Sequence, residues 1–200
     1  MQTGIECIGD VTDTEVSEVI TLAARSLYAI SEDYVLDASH MGILSGLFNA
    51  MGITESNKAE LVSAVAEKNT GVILDLCKAF GVGEVLSSKL IDLLNAYGKP
   101  EDALSKIQSA IVNAEMQNAY NELSAICAKL TDKGYQDNIN IDCSVVNDMN
   151  YYNGVAFKGC GDVPFAVLAQ RDVVQFDKFL FVVSIVSTYP SFPYAFLCSL

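Results

Sequence analysis

Apolar residues recur at helical spacing in the first part of the chain. One buried face of a predicted helix comprises Val16, Val19, Ile20, Ala23, Leu27 and Ile30. Thr12 and Glu15 fit a capping box at the start of this helix. Before it, residues 2–8 alternate loosely and predict a strand. After it, residues 34–38 predict a short strand, and residues 40–51 predict an apolar helix that ends before a glycine.

A helical pattern extends over residues 54–130. We expect it to be interrupted at Gly71, at residues 81–83 and at residues 98–100, where glycine ends one helix and proline suits the first turn of the next. The last of these helices is expected to run from about residue 100 to residue 130. This segment therefore predicts a small all-helical insert.

The hydrophobic period changes from helical to alternating after Gly134. Ile139, Ile141 and Cys143 alternate with polar residues, and two further runs, residues 151–157 and 165–168, also suit strands. We expect these to be neighbouring antiparallel strands. The order of strands, helices and strands predicts an α+β fold of one domain.

The charge balance of the chain excludes one class of partner. The 200 residues include 25 acidic and 12 basic side chains, which give a net charge of -13. Binding to a phosphate backbone needs a basic surface, so nucleic acid is not expected as a partner.

The cysteines carry no metal-binding pattern. Six cysteines are scattered without a Cys-x-x-Cys pair, and His40 is the single histidine that could join them. We therefore expect no metal, no cofactor, buried reduced thiols and a cytoplasmic location. His40 is expected to satisfy backbone groups at a strand-to-helix junction rather than to act in catalysis.

Three stretches of the chain resemble one protein family. They are Tyr151-Tyr152-Asn153-Gly154 with Phe157-Lys158-Gly159, the earlier Gln2-Thr3-Gly4-Ile5-Glu6-Cys7-Ile8-Gly9, and residues 34–44. Together they resemble the histidyl-tRNA synthetases and their paralogues, the regulatory subunits of ATP phosphoribosyltransferase. The resemblance covers about residues 1–169, in the order that the family has.

The resemblance implies a fold and a division of the chain. It implies a partial class II aminoacyl-tRNA synthetase-like antiparallel sheet with flanking helices, in residues 1–169, with the all-helical insert at about residues 54–133. Residues 170–200 depart from the family and form a divergent apolar tail, and the chain looks truncated relative to the family.

The resemblance also implies a site for free histidine. Gln2 and Glu6 are its expected polar contacts, and Tyr152, with Tyr151, is its aromatic wall. A carboxylate suits an α-ammonium group, and a carboxamide can both donate and accept hydrogen bonds. The alternative is that Gln2 is a frayed terminal residue and the tyrosines only pack. Lys158 is expected to be a surface residue.

Residues needed for catalysis in the family are not found. Asn147 stands where the synthetases have an arginine, the arginine of the family's motif 2 would lie before Met1, and no motif 3 with its arginine follows. In the family, such arginines stabilise charge on the nucleotide phosphate. The resemblance therefore implies a non-catalytic regulatory subunit that senses histidine and binds the short-form ATP phosphoribosyltransferase catalytic subunit, with a homodimer possible in the full-length protein.

Two alternative functions are a fragment of a histidyl-tRNA synthetase and a stand-alone helical interaction module at residues 54–130.

The end of the chain is apolar and lacks charge. Residues 179–200 contain no charged side chain, but Pro190 and Pro193 interrupt them, so a membrane-spanning helix is not favoured. The segment suits either a non-native tail, for instance after a change of reading frame, or a pair of strands that missing parts of the protein would cover.

Overall fold

A mixed sheet with helices packed on one face organises the structure. The computed structural model describes residues 2–9, 13–29, 31–146, 154–161, 179–187 and 195–199. The strands in these ranges are β1 (Gln2–Gly9), β2 (Tyr34–His40), β3 (Ile139–Ile141), β4 (Val155–Gly161), β5 (Phe179–Ser187) and β6 (Ala195–Ser199). The helices are α1 (Asp13–Tyr28), α2 (Met41–Met51), α3 (Glu55–Ala66), α4 (Thr70–Ala79), α5 (Glu84–Leu94), α6 (Pro100–Ala110) and α7 (Ala114–Asp132).

The strand order is β3-β2-β4-β5-β1-β6. The α+β prediction is confirmed, but the sheet is not wholly antiparallel, because β1 pairs parallel with β5 and β2 pairs parallel with β3. The expectation that β3 and β4 are neighbours is wrong, since β2 lies between them. The physical reason is the helical insert, which connects β2 to β3. Two parallel neighbouring strands require such a long crossover connection, so β3 can pair with β2 in the same direction.

Local sequence signals located most of the first elements. The strands predicted at residues 2–8 and 34–38 are observed as β1 and β2, and the helices predicted after each are observed as α1 and α2. Gly52 ends α2 in the left-handed conformation, at φ 70°. The predicted capping residue Thr12 and the predicted strand at residues 165–168 lie outside the described residues, as do Tyr151 and Tyr152.

Two predicted boundaries within the insert are wrong. Gly71 does not end a helix, because it lies in the first turn of α4. The break comes earlier, at Lys68, which has a φ of 52°. Asn69 then caps α4, because its side chain accepts a hydrogen bond from Val72 N. The single helix expected over residues 100–130 is two helices, α6 and α7. The second begins at Asn113, whose side chain accepts from Met116 N (2.9 Å) and so satisfies a free amide of the first turn.

The core lies between the sheet and the helices. Helix α1 packs on β4 and β5, and α7 packs on β2 and α2. Leu36, Ala38 and Phe157 are each 1% exposed and join the same apolar cluster as the helix residues. Where α2 meets α7, Gly46 allows close approach, and Asn113 Nδ2 donates to the Gly46 carbonyl oxygen (2.7 Å). This contact fixes the first turn of α7 against α2.

Residues 170–200 contribute two strands to the sheet. β5 lies between β4 and β1, and β6 pairs antiparallel with β1. The division of the sequence near residue 169 concerns family resemblance and stays a prediction. Among the described residues, no helix combines the length and apolar character needed to cross a membrane.

Candidate ligand-binding face of the sheet

Two of the four residues predicted to bind a ligand lie in a described strand of the sheet. Gln2 and Glu6 belong to β1. Tyr151 and Tyr152 lie outside the described residues, a few positions before β4 begins at Val155. The structure therefore locates the backbone of the two polar candidates and the strand that follows the tyrosines.

Strand register relates these positions to β2. Glu6 is level with Ser184, Ser184 with Ala156, and Ala156 with Ser39. Two interstrand spacings, about 10 Å, separate Glu6 from Ala156. Gln2 falls in a second row, which continues through Leu180 and Cys160 to Val35. The two rows thus end on β2 at Val35 and Ser39, which are four residues apart and share one face of the sheet.

That face is the one opposite the helices. On β2, His40 contacts Glu122 of α7, so His40 and the alternate residues Leu36 and Ala38 point toward the helices. Asp37 and Ser39 therefore project from the other side, which is called the open face below. Ser39 is 1% exposed, and its Oγ has no hydrogen-bond partner among the described residues. A buried hydroxyl without a partner is costly and invites a polar contact.

Asp37 places a half-buried carboxyl group on the open face. Asn140 Nδ2 donates to its Oδ1 (3.5 Å). Burial raises the pKa of Asp37 above its ordinary value, and the negative charge of Asp142 raises it further, while the hydrogen bond from Asn140 and the charges of Lys68 and Lys158 lower it. A carboxyl group in this position favours an added hydrogen-bond donor or a cation.

A polar network connects the open face to the insert. Asn140 Nδ2 also donates to Tyr97 Oη (3.2 Å), and the Tyr97 ring lies 4.7 Å from Lys68 Nζ. Lys68 Nζ donates to Asp142 Oδ2 (2.8 Å), and the other oxygen of Asp142 accepts from Ser144 N (2.9 Å) and Ser144 Oγ (2.7 Å). Backbone bonds between Gly98 and Ile141 close the same junction. Two loops of the insert are therefore attached to the β3 edge of the sheet.

His40 is a structural residue in this arrangement. Its Nδ1 accepts from Gly42 N (3.1 Å), which caps α2, and its Nε2 lies 2.9 Å from Glu122 Oε2. Because Nδ1 accepts, Nε2 is the nitrogen that donates to the carboxylate. The expected contact with backbone groups at this junction is observed.

The Glu122 contact predicts a pH dependence of stability. The hydrogen bond from His40 lowers the pKa of Glu122 from its ordinary 4.5, against the effect of burial, and a positive charge on His40, when the imidazole is protonated, acts in the same direction. A lowered carboxyl pKa adds stability above the unfolded-state value, and this stability is lost as the pH falls through the folded-state pKa. We expect Glu122→Gln to destabilise the chain above pH 4.5 and to lose that effect well below it.

Urea unfolding at a series of pH values measures this prediction. The exposed Glu60 provides a control, because Glu60→Gln removes a carboxyl group of the same type without a histidine contact. An equal stability difference between wild type and Glu122→Gln at all pH values would contradict the assignment.

Three of the cysteines are described, and all are buried free thiols: Cys77, Cys127 and Cys143. Burial raises the pKa of Cys127 to about 12, and burial with the nearby Asp142 raises that of Cys143 to about 12. Burial therefore favours the protonated thiol of Cys127 and Cys143 over the nucleophilic thiolate. Within the described ranges, no three His, Cys, Asp or Glu side chains are grouped as metal ligands would be.

A cleft in the described part of the chain lies elsewhere, beside α1 and the end of α7. It has a volume of about 530 Å³ and is lined by Glu18, Thr21, Leu22, Arg25, Lys133 and Tyr135. Lys133 Nζ already donates to Ser17 Oγ (2.9 Å) and Thr21 Oγ1 (3.1 Å). The cleft lacks the predicted ligand residues, so the open face is the better candidate site.

Sequence analysis did not select Asp37 or Ser39. Their signal was the alternation of Leu36, Asp37, Ala38 and Ser39, which places two polar groups on one side of a strand. Lys158 was expected to be a surface residue, and it is exposed on β4. Its position opposite Asp37 depends on strand pairing over a long sequence separation.

Comparison with known proteins decides the family. The family model described as histidyl-tRNA synthetase matches residues 1–168. The chain belongs to the histidyl-tRNA synthetase family.

Within this family, it is similar to proteins named ATP phosphoribosyltransferase regulatory subunit. One from Bacillus licheniformis is 31% identical over 78% of the chain, and one from Desulfitobacterium hafniense is 28% identical over 79%. The chain spans 40% and 41% of the lengths of these relatives.

A solved structure agrees with the family assignment. The structure of an ATP phosphoribosyltransferase regulatory subunit/histidyl-tRNA synthetase from Bacillus halodurans matches with a TM-score of 0.68 and 27% identity. The match covers 77% of this chain and 40% of that one. The predicted class II synthetase-like fold is confirmed, with the sheet mixed as described above.

Proposed function

We propose that the chain is part of a non-catalytic regulatory subunit of ATP phosphoribosyltransferase, the first enzyme of histidine biosynthesis. The observation that carries this proposal is the similarity to relatives named as that subunit, at up to 31% identity among those compared above. Asn147, at the position of a synthetase arginine, supports a role without adenylate formation, because adenylate formation requires stabilisation of phosphate charge.

Histidine is the proposed effector. Gln2, Glu6, Tyr151 and Tyr152 are its proposed contacts, because these positions match the family's motifs for the amino acid. The strand pairing supports the proposal, since β5 joins β1, which contains Gln2 and Glu6, to β4, which follows the tyrosine pair. The proposed protein partner is the short-form ATP phosphoribosyltransferase catalytic subunit, and the proposed location is the cytoplasm.

A thermal-unfolding experiment tests histidine binding. A ligand that binds only the folded chain, at a concentration of about 100 times its Kd, stabilises it by roughly 2.7 kcal/mol. We expect histidine to raise the Tm by roughly 5–10 °C under those conditions. Alanine at the same concentration and ionic strength serves as the control. An unchanged Tm at saturating histidine would argue strongly against the proposal.

The second candidate function is that of a histidyl-tRNA synthetase fragment. The match to the histidyl-tRNA synthetase family model, and the Bacillus halodurans relative that carries both names, favour it as the alternative. Histidine-dependent exchange of pyrophosphate into ATP distinguishes the two functions. Exchange would support the synthetase and contradict a purely regulatory role. Co-elution with the catalytic subunit in size-exclusion chromatography would support the regulatory role.

A further inference from the structure

The cleft between α1 and the end of α7 carries two cations on its wall. Its volume of about 530 Å³ falls within the range of roughly 300–1,000 Å³ that small-molecule sites occupy. The spacing of its α1 residues, i, i+3, i+4 and i+7, places them on one face of that helix. The lining residues are Glu18, Thr21, Leu22 and Arg25 of α1, with Lys133 and Tyr135 from the segment after α7.

Lys133 brings a positive charge that no described carboxylate neutralises. Its Nζ donates to Ser17 Oγ (2.9 Å) and to Thr21 Oγ1 (3.1 Å). The Thr21 hydroxyl donates its own hydrogen to the Ser17 carbonyl oxygen (2.6 Å), so the Thr21 oxygen is oriented to accept from the ammonium group. An ammonium group has three hydrogens. Two neutral hydroxyl groups therefore fix its position and leave one donor, with the full charge, for a ligand.

The end of α7 does not use the Lys133 side chain as a cap. The backbone satisfies this helix end: Lys133 N and Tyr135 N both donate to the Leu130 carbonyl oxygen, at 3.2 and 3.0 Å, and Gly134 N donates to that of Thr131 at 2.9 Å. Gly134, with a φ of 84°, permits this closure. The Lys133 ammonium group is therefore directed across to α1 rather than back to its own helix.

Arg25 places a guanidinium group one helical turn along α1 from Thr21. Residues four apart on a helix have Cβ atoms about 5–6 Å apart, so the guanidinium can reach the same ligand as Lys133 Nζ. Arg25 is exposed, and its side chain has no hydrogen bond or ion pair with another described residue. Its five N–H donors form a planar fork that suits phosphate oxygens. In a chain with a net charge of -13, these two cations form a local positive site.

The other lining residues limit the kind of anion that fits. Glu18 lies seven residues before Arg25, about 10 Å away along the helix axis, and its negative charge disfavours an extended polyanion. Leu22 is 46% exposed, and Tyr135 is partly buried, so together they offer apolar surface and a hydroxyl donor. A compact anion with an apolar body suits this combination.

We propose that the cleft binds the phosphate group of a small phosphate monoester. Arg25 and Lys133 donate to the phosphate, and Leu22 and Tyr135 contact the organic part of the ligand. The three terminal oxygens of a phosphate monoester can accept from both cations and from the Tyr135 hydroxyl at once, whereas a carboxylate has two oxygens. The site is separate from the one proposed for histidine, because none of the histidine contacts lines the cleft.

An NMR titration of the ¹⁵N-labelled chain with three anions at constant ionic strength tests the site. Phenyl phosphate is expected to bind with a Kd on the order of millimolar. Inorganic phosphate is expected to bind at least about threefold more weakly, because it lacks the apolar contact, and benzoate at least about fivefold more weakly. The amide signals of Leu22, Arg25 and Tyr135 should shift, and that of Val72 on α4 should not.

Substitutions of the two cations assign the binding. Arg25→Gln and Lys133→Gln are each expected to weaken phenyl phosphate binding at least about fivefold. Arg25→Lys keeps the charge but loses the planar fork, so a smaller loss, about two- to threefold, is expected. Lys106→Gln, at an exposed position of α6, removes the same charge away from the cleft and should change the Kd by less than about twofold.

The design separates binding from folding. Lys133→Gln also removes the contacts with Ser17 and Thr21, so its unfolding is measured as well. Arg25→Gln removes no described side-chain contact and therefore decides the result if Lys133→Gln proves unstable. The absence of a saturable shift at these amides, an equal response to all three anions, or an unchanged Kd in Arg25→Gln would each overturn the proposal.

Discussion

Replacement of Gly46 by valine is expected to lower the free energy of unfolding by roughly 2–4 kcal/mol. A Cβ atom at Gly46 would lie 2.7 Å from Met116 Cγ, 3.0 Å from Met116 N and 3.1 Å from Asn113 Oδ1. The Met116 side chain can move, but the backbone amide and the Asn113 cap cannot move without separating α2 from α7. Overpacking therefore outweighs the gain in helix propensity that removal of a glycine usually gives, about 1 kcal/mol.

Urea unfolding of Gly46→Val and Gly71→Ala checks this expectation. Gly71 lies in the exposed first turn of α4, where the nearest atom to an added Cβ is Asn69 Oδ1 at 3.7 Å. Gly71→Ala is expected to stabilise the chain by roughly 0.5–1 kcal/mol. Similar effects of the two substitutions would show that the contact between α2 and α7 is looser than these distances indicate.

Replacement of Asp142 by alanine is expected to cost about 3 kcal/mol of stability. The side chain is 8% exposed and accepts from Lys68 and from both Ser144 donors. Its removal leaves the Ser144 amide without its carboxylate partner and leaves Lys68 unpaired. Because Lys68 is 44% exposed, its ammonium group can be hydrated, which keeps the loss below that for a fully buried pair.

Chemical denaturation and hydrogen exchange measure the Asp142 effect. Faster exchange of the Gly98 and Ile141 amides is expected in Asp142→Ala, because these two residues bridge the insert and the sheet beside the ion pair. Asp92→Ala, at an exposed position of α5, is the control. A global loss of stability without faster exchange at this bridge would argue that Asp142 does not attach the insert.

Periodicity located the helices well because their burial pattern is local. It failed at residues 111–113, where Ile111 and Val112 continue an apolar helical pattern and a single residue, Asn113, decides the break through its cap. It failed again near Gly71, because the chain turns at Lys68 in a conformation usually adopted by glycine. At each break, a residue that ends the helical pattern also makes a tertiary contact: Asn113 with Gly46, and Lys68 with Asp142.

The candidate site was harder to derive than the helices. Family motifs indicated Gln2, Glu6 and the tyrosine pair, but no local pattern shows that Asp37 and Lys158 are neighbours. That relation depends on the register between strands separated by the whole insert. Asn140 could be placed beside Asp37 only once the parallel pairing of β2 and β3 was known.

Six helices, α2 to α7, lie along the chain between β2 and its partners β3 and β4, which also has a kinetic consequence. Strands β2 and β4 pair across the entire insert, so closing this part of the sheet from an unfolded chain carries a large loop-closure entropy. The helices contain mostly local contacts and can form much earlier. Once α2 and α7 have docked, the two ends of the insert are held near each other, and the remaining loop is short. The order of folding would then run from the insert to the sheet, and substitutions at the junction of α2 with α7 would slow refolding more than substitutions at the edge strand β3.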